Sequence, residues 1–304
     1  VEMSSIKQDL RRRDFTINTL SLCLDPERYG QLLDPFGGEN DLQRGLIRVL
    51  HNLSFIEDPT RIMRAVRFEQ RFGFTIEPRT AQLIGDALDM VARVSGERLR
   101  HELELIFQEG EPEKAMARLN ALGILRALYP KFEFTDWHAA KFATARQANG
   151  KASLTYWGLL AYRFAPSIVR EFCTRLKFPN SDCDTLMQVL ELRDDVVDRL
   201  SVAQLAPSAL YRLLEEHSDA ALSIVALAVD DERVRERIDL FRAALRHVQT
   251  ELTGNDLKKM GLPPGPAYKE ILTRLRDARL DGKISTRAQE EALVQSICLD
   301  SQIR

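Results

Sequence analysis

The chain has 304 residues, of which 44% are hydrophobic and 29% charged, and its formal net charge is −2. This size permits two or more domains with substantial cores. The four cysteines are far apart and include no CxxC pair, which argues against a disulfide framework and against a zinc site. No run reaches the length of a membrane span and no signal peptide is visible, so we expect a cytoplasmic protein without a membrane partner.

The N-terminal part begins with a basic cluster at residues 11–13. The alternating, β-branched segment that follows predicts a strand over residues 14–22, with Phe15 and Ile17 facing a core. The residues expected on its opposite, polar face are Asp14, Thr16 and Asn18. After the turn signal Asp25-Pro26, an apolar run at residues 31–33 predicts the hairpin partner.

The most informative stretch is EDPTRIMRAVRF, at residues 57–68. On a helix, the arginines at positions 61, 64, 67 and 71 fall within an arc of roughly 120°, so their guanidiniums share one face. Guanidiniums match phosphate oxygens, and an aspartate beside an arginine can offer an acceptor and donors to the edge of a base. A plainer interpretation stays open, with Asp58 as a helix N-cap, Pro59 as the first helical residue and the arginines on a solvated face.

Beyond residue 108, apolar periodicity predicts helices almost throughout. The predicted helical segments are 111–123, 138–147, 153–176, 183–200, 206–228 and 232–252. The paired aspartates at 194–195 and 230–231 lie in helical patterns without a preceding glycine loop, so we assign no metal ligand to this chain.

Four ordered motifs, RRRDFTINTL, DPFGGENDLQRG, EDPTRIMRAVRF and ERLRHELELIF, resemble the later motifs of the class II tRNA nucleotidyltransferase and poly(A) polymerase family. The similarity covers residues 1 to about 108 strongly, and a weaker one covers GNDLKKMGLPPGPAYKEIL and LDGKIS. It implies an α+β, mostly helical fold: part of a β-rich nucleotidyltransferase head at 1–50, a helical neck at 51–110, a helical body at 111–200 and a helical tail at 201–304. The implied reaction is template-independent addition of C and/or A to tRNA 3′ ends, with ATP and/or CTP as substrates and tRNA or another RNA 3′ end as partner.

The resemblance also implies residue roles. Arg13 would hold the phosphates of the incoming nucleotide and Asp14 its ribose. Asp58 and Arg61 would hydrogen-bond to the Watson–Crick edge of C or A. Glu57 would hold Arg61 in position, while Arg64 and Arg67 would face the triphosphate. Residues implied to support this nucleotide-binding set are Glu57, Asn18, Glu97, Arg98 and Glu102. The last three also suit an ordinary charged helix face, beside an apolar stripe of Leu99, Leu103 and Ile106.

In the tail, turns at glycine residues bring backbone N–H groups close together, just before a helix that carries basic side chains. The residues expected to contact RNA there are Lys258, Lys259, Lys269 and Arg274. A helical hairpin with a solvated basic face is the alternative.

The family places its catalytic Asp-x-Asp, which binds Mg²⁺, on an early strand after a Gly-Gly and Arg loop, and this chain has no match to either. We therefore expect the catalytic carboxylates to lie upstream, Mg²⁺ to be needed by the intact enzyme, and this chain to be a fragment that is inactive alone. A poly(A) polymerase, a non-catalytic RNA-binding module and a helical interaction scaffold remain alternatives.

Overall fold

Helices dominate the described part of the chain, which in this computed structural model comprises residues 6–148 and 152–301. Two short two-stranded sheets accompany them. The expected α+β, mostly helical class is confirmed. The chain divides into two compact units, residues 1–186 and 187–304. The division into head, neck, body and tail stays a prediction.

The strands all lie in the first unit: β1 (Ser21–Leu22), β2 (Leu32–Leu33), β3 (Leu46–Ile47) and β4 (Thr75–Ile76). Its helices before residue 108 are α1 (Ile6–Arg11), α2 (Gly38–Arg44), α3 (Ser54–Glu57), α4 (Thr60–Phe72), α5 (Pro78–Asp86), α6 (Leu88–Val91) and α7 (Gly96–Phe107). The later ones are α8 (Pro112–Ala121), α9 (Ile124–Leu128), α10 (Asp136–Gln147), α11 (Ser153–Ala161) and α12 (Pro166–Arg175), and α13 (Asn180–Glu191) spans the division.

The second unit is helical in its described residues. It contains α14 (Val197–Ser201), α15 (Pro207–Leu214), α16 (Asp219–Ala228), α17 (Glu232–Ala243), α18 (Gly254–Lys259), α19 (Ala267–Leu280) and α20 (Arg287–Ser301). Its C-terminal helices share an apolar core, formed by Leu252, Leu257, Ile271, Leu275, Val294 and Ile297.

The strand predicted over residues 14–22 is wrong except at its end. Residues 16–18 form a 3-10 turn, because the Asp14 carboxylate accepts hydrogen bonds from the Phe15 N–H at 3.0 Å and from the Asn18 amide at 2.8 Å, and this bends the chain. Phe15 is buried as predicted, and Asp14 and Thr16 are buried as well. The hairpin is confirmed, since β1 pairs antiparallel with β2.

Helix α4 is hydrogen-bonded to a sheet and to a neighbouring helix. Strand β3 pairs in parallel with β4, and the buried Glu69 of α4 accepts a hydrogen bond from the Ile76 N–H of β4 at 3.1 Å. Arg118 of α8 donates to the same carboxylate at 2.8 Å. On the inner side of α4, Ile62, Val66 and Phe68 are buried. The orientation of the arginine-bearing face is therefore fixed by contacts on two sides.

Two predicted helical segments are each divided in two. The segment 153–176 breaks before Pro166, because proline has no N–H to donate and restricts Ala165 to an extended conformation, ψ 150°. The segment 206–228 breaks at Ser218, whose side chain accepts from the Ala221 N–H and starts α16. In the segment 183–200, a π-helical stretch at Leu192–Val196 joins α13 to α14.

Among residues 6–148 and 152–301, no helix is both long enough and apolar enough to span a bilayer.

Candidate functional site

Three segments that are separate in sequence meet around one cleft of about 500 Å³. They are the residues that follow α1, the start of α4 and the first turns of α7. The lining residues are Arg12, Arg13, Asp14, Asn18, Asp58, Thr60, Arg61, Arg64, Arg98 and Glu102. We call this the arginine cleft. Most residues that the sequence predicts for nucleotide binding are therefore brought together here.

Asp58 is oriented by neighbours on both sides. One of its carboxylate oxygens accepts hydrogen bonds from the Thr60 N–H at 3.1 Å and from the Thr60 hydroxyl at 2.7 Å, at the first residue of α4. The Arg98 guanidinium of α7 donates to both oxygens, at 2.9 and 3.0 Å. Arg98, which the resemblance implies to be a supporting residue, therefore contacts Asp58 directly, just before α4. Asp58 is both a helix-start acceptor and a wall of the cleft.

Arg61 is held by two acceptors. Its guanidinium donates to the Ser54 hydroxyl at 2.7 Å and to the Arg12 carbonyl at 2.9 Å. A guanidinium has five N–H groups, so several remain for a ligand in the cleft. The side chain of Glu57 lies 3.5 Å from the His51 imidazole, and Arg61 has its neighbours in Ser54 and Arg12 instead of the expected Glu57.

Asp14 and Arg64 form the tightest pair in the cleft. Arg64 donates twice to one Asp14 oxygen, at 2.8 and 2.5 Å, across 50 positions of sequence. Burial alone would raise the pKa of Asp14, but hydrogen bonds from Asn18 and Arg64 outweigh it and hold the pKa below its usual value. Arg64 therefore neutralises Asp14, and less of its charge is available to a phosphate than the sequence suggests.

Arg13 is the more accessible cation. Its only ion pair in the described residues is a 3.7 Å contact with Asp9, in which both side chains are more than half exposed. Such exposed pairs are weak and exchange readily with solvent or a ligand. The position of Arg13 suits an anion binder.

Arg67 does not fit its expected role. It is 7% exposed and does not line the cleft, so the expectation that it faces the triphosphate is corrected. It lies 3.6 Å from the buried carboxylate of Glu109, which also accepts two hydrogen bonds from Arg71. The helical period puts Arg67 on the arginine face, but the packing of α4 against α7 and α8 covers that part of the face.

Glu102 lines the cleft from α7 and is 8% exposed. Burial raises the pKa of Glu102, although the nearby Arg64 and Arg67 lower it. One Glu102 oxygen has no hydrogen-bond partner in the described residues. Glu97 is exposed and does not line the cleft, which suits the plainer interpretation of that residue.

The four tail residues expected to bind RNA, Lys258, Lys259, Lys269 and Arg274, are all exposed. Arg274 forms an ion pair with Glu270 at 2.8 Å. Two other arginines of the same helix are engaged inside the unit: Arg276 pairs with Glu215, and Arg279 pairs with Glu251 and Glu290. The basic face of α19 is therefore smaller than its sequence suggests.

Two partners of the α4 arginines, Ser54 beside Arg61 and Glu109 beside Arg67 and Arg71, are not predicted by the sequence pattern. Ser54 is fully buried, and its only signal is a small polar residue in the apolar turn LSFI. Glu109 follows α7, where nothing in the periodicity distinguishes it from a solvated residue.

In residues 6–148 and 152–301, no group of three or more His, Cys, Asp or Glu side chains could hold a metal ion. The described residues thus include no cluster that fits the Mg²⁺ site that the family resemblance implies.

Models of three protein families match the sequence. They are described as "Poly A polymerase head domain" at residues 1–48, "Probable RNA and SrmB- binding site of polymerase A" at 73–135, and tRNA nucleotidyltransferase domain 2 at 151–297.

Curated proteins and solved structures agree with these matches. An A-adding tRNA nucleotidyltransferase from Geobacter sulfurreducens is 39% identical over 95% of this chain, which spans 35% of that protein. One from Halalkalibacterium halodurans is 33% identical over 94% of this chain, which spans 67% of it. The Thermotoga maritima CCA-adding enzyme complexed with tRNA has a TM-score of 0.81 and 28% identity, over 97% of this chain and 75% of that one. A CCA-adding enzyme solved with ATP has a TM-score of 0.80 and 29% identity, over 97% and 73%.

The matched motifs, the shared fold and the identity to curated relatives lead to one conclusion. The chain belongs to the class II tRNA nucleotidyltransferase family.

Proposed function

We propose that the full-length protein adds C and/or A to tRNA 3′ ends without a nucleic-acid template, and that the arginine cleft receives the incoming nucleotide. The observation that carries the proposal is the placement of Asp58 and Arg61 in one cleft, each held by neighbouring groups. An acceptor and a fork of donors one helical turn apart can pair with a single base edge.

The other cleft residues bind the phosphates and ribose of the nucleotide or orient Asp58 and Arg61. Arg13, weakly paired and exposed, supplies positive charge for the phosphates. Asp14 accepts from the ribose hydroxyls while Arg64 keeps it ionised and fixed. Arg98 and Thr60 orient Asp58, and Ser54 orients Arg61. Preorganised groups of this kind raise discrimination, because they lose little freedom when a nucleotide binds.

Within the family, we favour A addition, because the Geobacter and Halalkalibacterium relatives are both named A-adding enzymes. CCA addition is the second candidate, since the solved neighbours are CCA-adding enzymes. A poly(A) polymerase is supported only by the description of the head-domain match. In each case, the 3′ hydroxyl of an RNA attacks the α-phosphate of the nucleotide and pyrophosphate leaves.

The proposed partner of this chain is tRNA, with the exposed tail residues Lys258, Lys259, Lys269 and Arg274 contacting its phosphates. Exposed cations on α18 and α19 can bind a polyanion without a basic protein overall, so the net charge of −2 does not oppose this role. We expect Mg²⁺ to supply charge stabilisation for the phosphoryl transfer in the intact enzyme.

Two measurements test the proposal. Equilibrium binding of labelled ATP, CTP, GTP and UTP to the purified protein should show a preference for ATP, or for ATP and CTP. Sequencing the 3′ ends of tRNA ending in the discriminator base, in C or in CC after incubation with the full-length protein should show which nucleotides are added. Equal binding of all four nucleotides, together with unextended tRNA, would contradict the proposed function.

A further inference from the structure

Two cysteines of the first unit meet where α12 ends and α13 begins. Cys173 lies in the last turn of α12 and Cys183 in the first turn of α13, ten positions apart in sequence. Both are free thiols, and they are close enough to interact directly. The structure therefore contains a pair of neighbouring thiols that the spacing in the sequence does not reveal.

The turn between the two helices is held by its own hydrogen bonds. The Phe178 N–H donates to the Cys173 carbonyl at 3.0 Å, and the Lys177 N–H donates to the Thr174 carbonyl at 3.3 Å. Lys177 has a φ of 55°, in the left-handed region where a glycine usually ends a helix in this hydrogen-bond pattern. The direction in which the chain leaves α12, and with it the position of Cys183 beside Cys173, is therefore set by the backbone.

The two thiols differ in their access to solvent. Cys183 is partly exposed, whereas Cys173 is only 5% exposed. Burial raises the pKa of the Cys173 thiol, and the contact with Cys183 raises it further. Because the thiolate is the reactive form, Cys173 is a poor target for a dissolved oxidant. Cys183 is the thiol that an oxidant reaches, and Cys173 is the shielded thiol next to it.

The stretch between the cysteines supports the start of α7. Arg175 donates to the Val94 carbonyl at 3.1 Å, just before α7, and Arg100 of α7 donates to the Lys177 carbonyl. Gly96, the first residue of α7, packs so closely on the Arg175 carbonyl that a Cβ atom would overlap it. Helix α7 lines the arginine cleft, so a change in this turn bears on the part of the fold that holds the site.

We propose that Cys173 and Cys183 form an oxidation site, which hydrogen peroxide converts to a disulfide. The Cys183 sulfur attacks one peroxide oxygen, the O–O bond breaks, a sulfenic acid forms and water leaves. The Cys173 sulfur then attacks the sulfenic sulfur, so that an S–S bond forms and the S–O bond breaks. The hydroxyl leaves as water with the Cys173 proton. The two thiols together lose two electrons, and the peroxide is reduced to two molecules of water.

The disulfide protects Cys183 and stabilises the turn. A sulfenic acid without a neighbouring thiol is oxidised further to a sulfinic acid, which thiols do not reduce. A disulfide, in contrast, is returned to the dithiol by thiol exchange. The bond also closes a short loop across the turn that supports α7, and it stabilises the folded state by restricting the unfolded chain. This inference goes beyond the proposed function and does not depend on it.

Peptide mapping detects the bond directly. The purified protein is treated with hydrogen peroxide, alkylated under denaturing conditions and digested with trypsin without reduction. Cleavage after Arg170, Arg175 and Lys177 places the two cysteines on separate peptides, 171–175 and 178–193. We expect these peptides to be linked after oxidation and separate after treatment with dithiothreitol. The melting temperature of the oxidised protein should be about 2–5 °C above that of the reduced protein.

Variants distinguish the roles of the two thiols. Cys173→Ala should lose the linked peptide, and the sulfenic acid of Cys183 should be trapped by dimedone and pass to sulfinic acid at higher peroxide concentration. Cys183→Ser changes a partly exposed residue, so it should fold even if Cys173→Ala is destabilised, and its melting temperature should not respond to peroxide. The matched control is Cys23→Ser, which changes another partly exposed cysteine and should give the linked peptide as the wild type does.

Three results would overturn the proposal. The first is a wild-type protein in which peroxide oxidises Cys183 to sulfinic acid and no linked peptide appears. The second is a linkage of Cys183 to Cys23, to Cys298 or to a second chain in place of Cys173. The third is a melting temperature that rises equally in Cys183→Ser, because the stabilisation would then not come from this bond. None of these results affects the proposed function, which is tested by nucleotide binding and tRNA extension.

Discussion

Arg64 reaches Asp14 across 50 positions of sequence and donates two hydrogen bonds to one of its oxygens, at 2.8 and 2.5 Å. This pair joins the N-terminal segment to α4 and places both residues in the arginine cleft. Because Asp14 is 7% exposed, its charge has little access to water and depends on Arg64 and Asn18. The pair is therefore a structural connection as well as part of the site.

The first prediction follows from this pair. Arg64→Ala leaves a buried carboxylate without its cation and should lower the free energy of unfolding by about 1–3 kcal/mol. In a double-mutant cycle with Asp14→Ala, we expect a coupling of about 1 kcal/mol or more from urea unfolding. The exposed pair Lys114 and Glu111, 2.7 Å apart, is the control and should give less. Equal coupling in the two cycles would show that burial adds nothing to the Asp14 pair.

A second prediction concerns Ser54, which accepts a hydrogen bond from Arg61 at 2.7 Å and is fully buried. Ser54→Ala removes this acceptor and lets the guanidinium rotate, so the ratio of ATP to GTP affinity should fall about threefold to tenfold. Ser54→Thr keeps the hydroxyl and should retain most of the ratio. Competition binding with the four nucleotides measures it. A ratio unchanged in Ser54→Ala, accompanied by a lower melting temperature, would limit Ser54 to a role in folding.

The third prediction is a dependence of stability on pH that arises from His138. Burial, with a further contribution from Arg163, lowers the pKa of His138 to about 4 in the folded protein. An unfolded histidine has a pKa of about 6.5, so between these values the unfolded state binds more protons and stability rises with pH. We expect up to about 3 kcal/mol to be lost as the pH falls from about 6.5 to about 4.

Urea unfolding at several pH values tests this dependence. His138→Gln should flatten the curve in that window, even if its stability at neutral pH is lower, because the variant also loses the hydrogen bond from the Thr135 N–H to the imidazole. His101→Gln, at an exposed position, is the control and should retain the wild-type slope. An equal slope in His138→Gln would assign the acid sensitivity to other groups.

The fourth prediction concerns the tail. Replacing Lys258, Lys259 and Lys269 together by Ala should weaken tRNA binding and reduce its salt slope by about 0.9 for each phosphate that these lysines neutralise. All three side chains are exposed, so the melting temperature should not change. Filter binding of tRNA over a range of salt concentrations measures both the affinity and the slope. Unchanged affinity and slope would return the tail to a structural role.

The sequence predicts the fold class, the hairpin of β1 and β2, and the clustering of Asp14, Asp58 and Arg61, because these depend on local periodicity and on ordered motifs. It fails where side-chain bonding or a distant neighbour decides the outcome. The predicted strand at residues 14–22 is replaced by a turn because Asp14 bonds to its own neighbours, and the helical face of α4 does not reveal that α7 and α8 cover Arg67.

Ser54 is a second case in which the sequence alone does not predict a contact. Its hydroxyl accepts a hydrogen bond from Arg61, seven residues away, and Arg61 also donates to the backbone carbonyl of Arg12. A pattern of residue types in a single sequence does not show which distant residues will be in contact. Glu109 is similar, since its partners on α4 are known only once α4 and α7 are packed together.

The central claim is that Asp58 and Arg61 select the base of the incoming nucleotide. Its most direct test is the relative incorporation of ATP, CTP, GTP and UTP into tRNA by the full-length protein, compared with its Asp58→Ala and Arg61→Ala variants. Removing one hydrogen bond to a specific base should cost about 1–3 kcal/mol, which is roughly tenfold to a hundredfold in discrimination. We expect relaxed base choice in both variants with thermal stability largely retained. An Arg61→Ala variant that keeps the wild-type base preference while losing stability would contradict the claim.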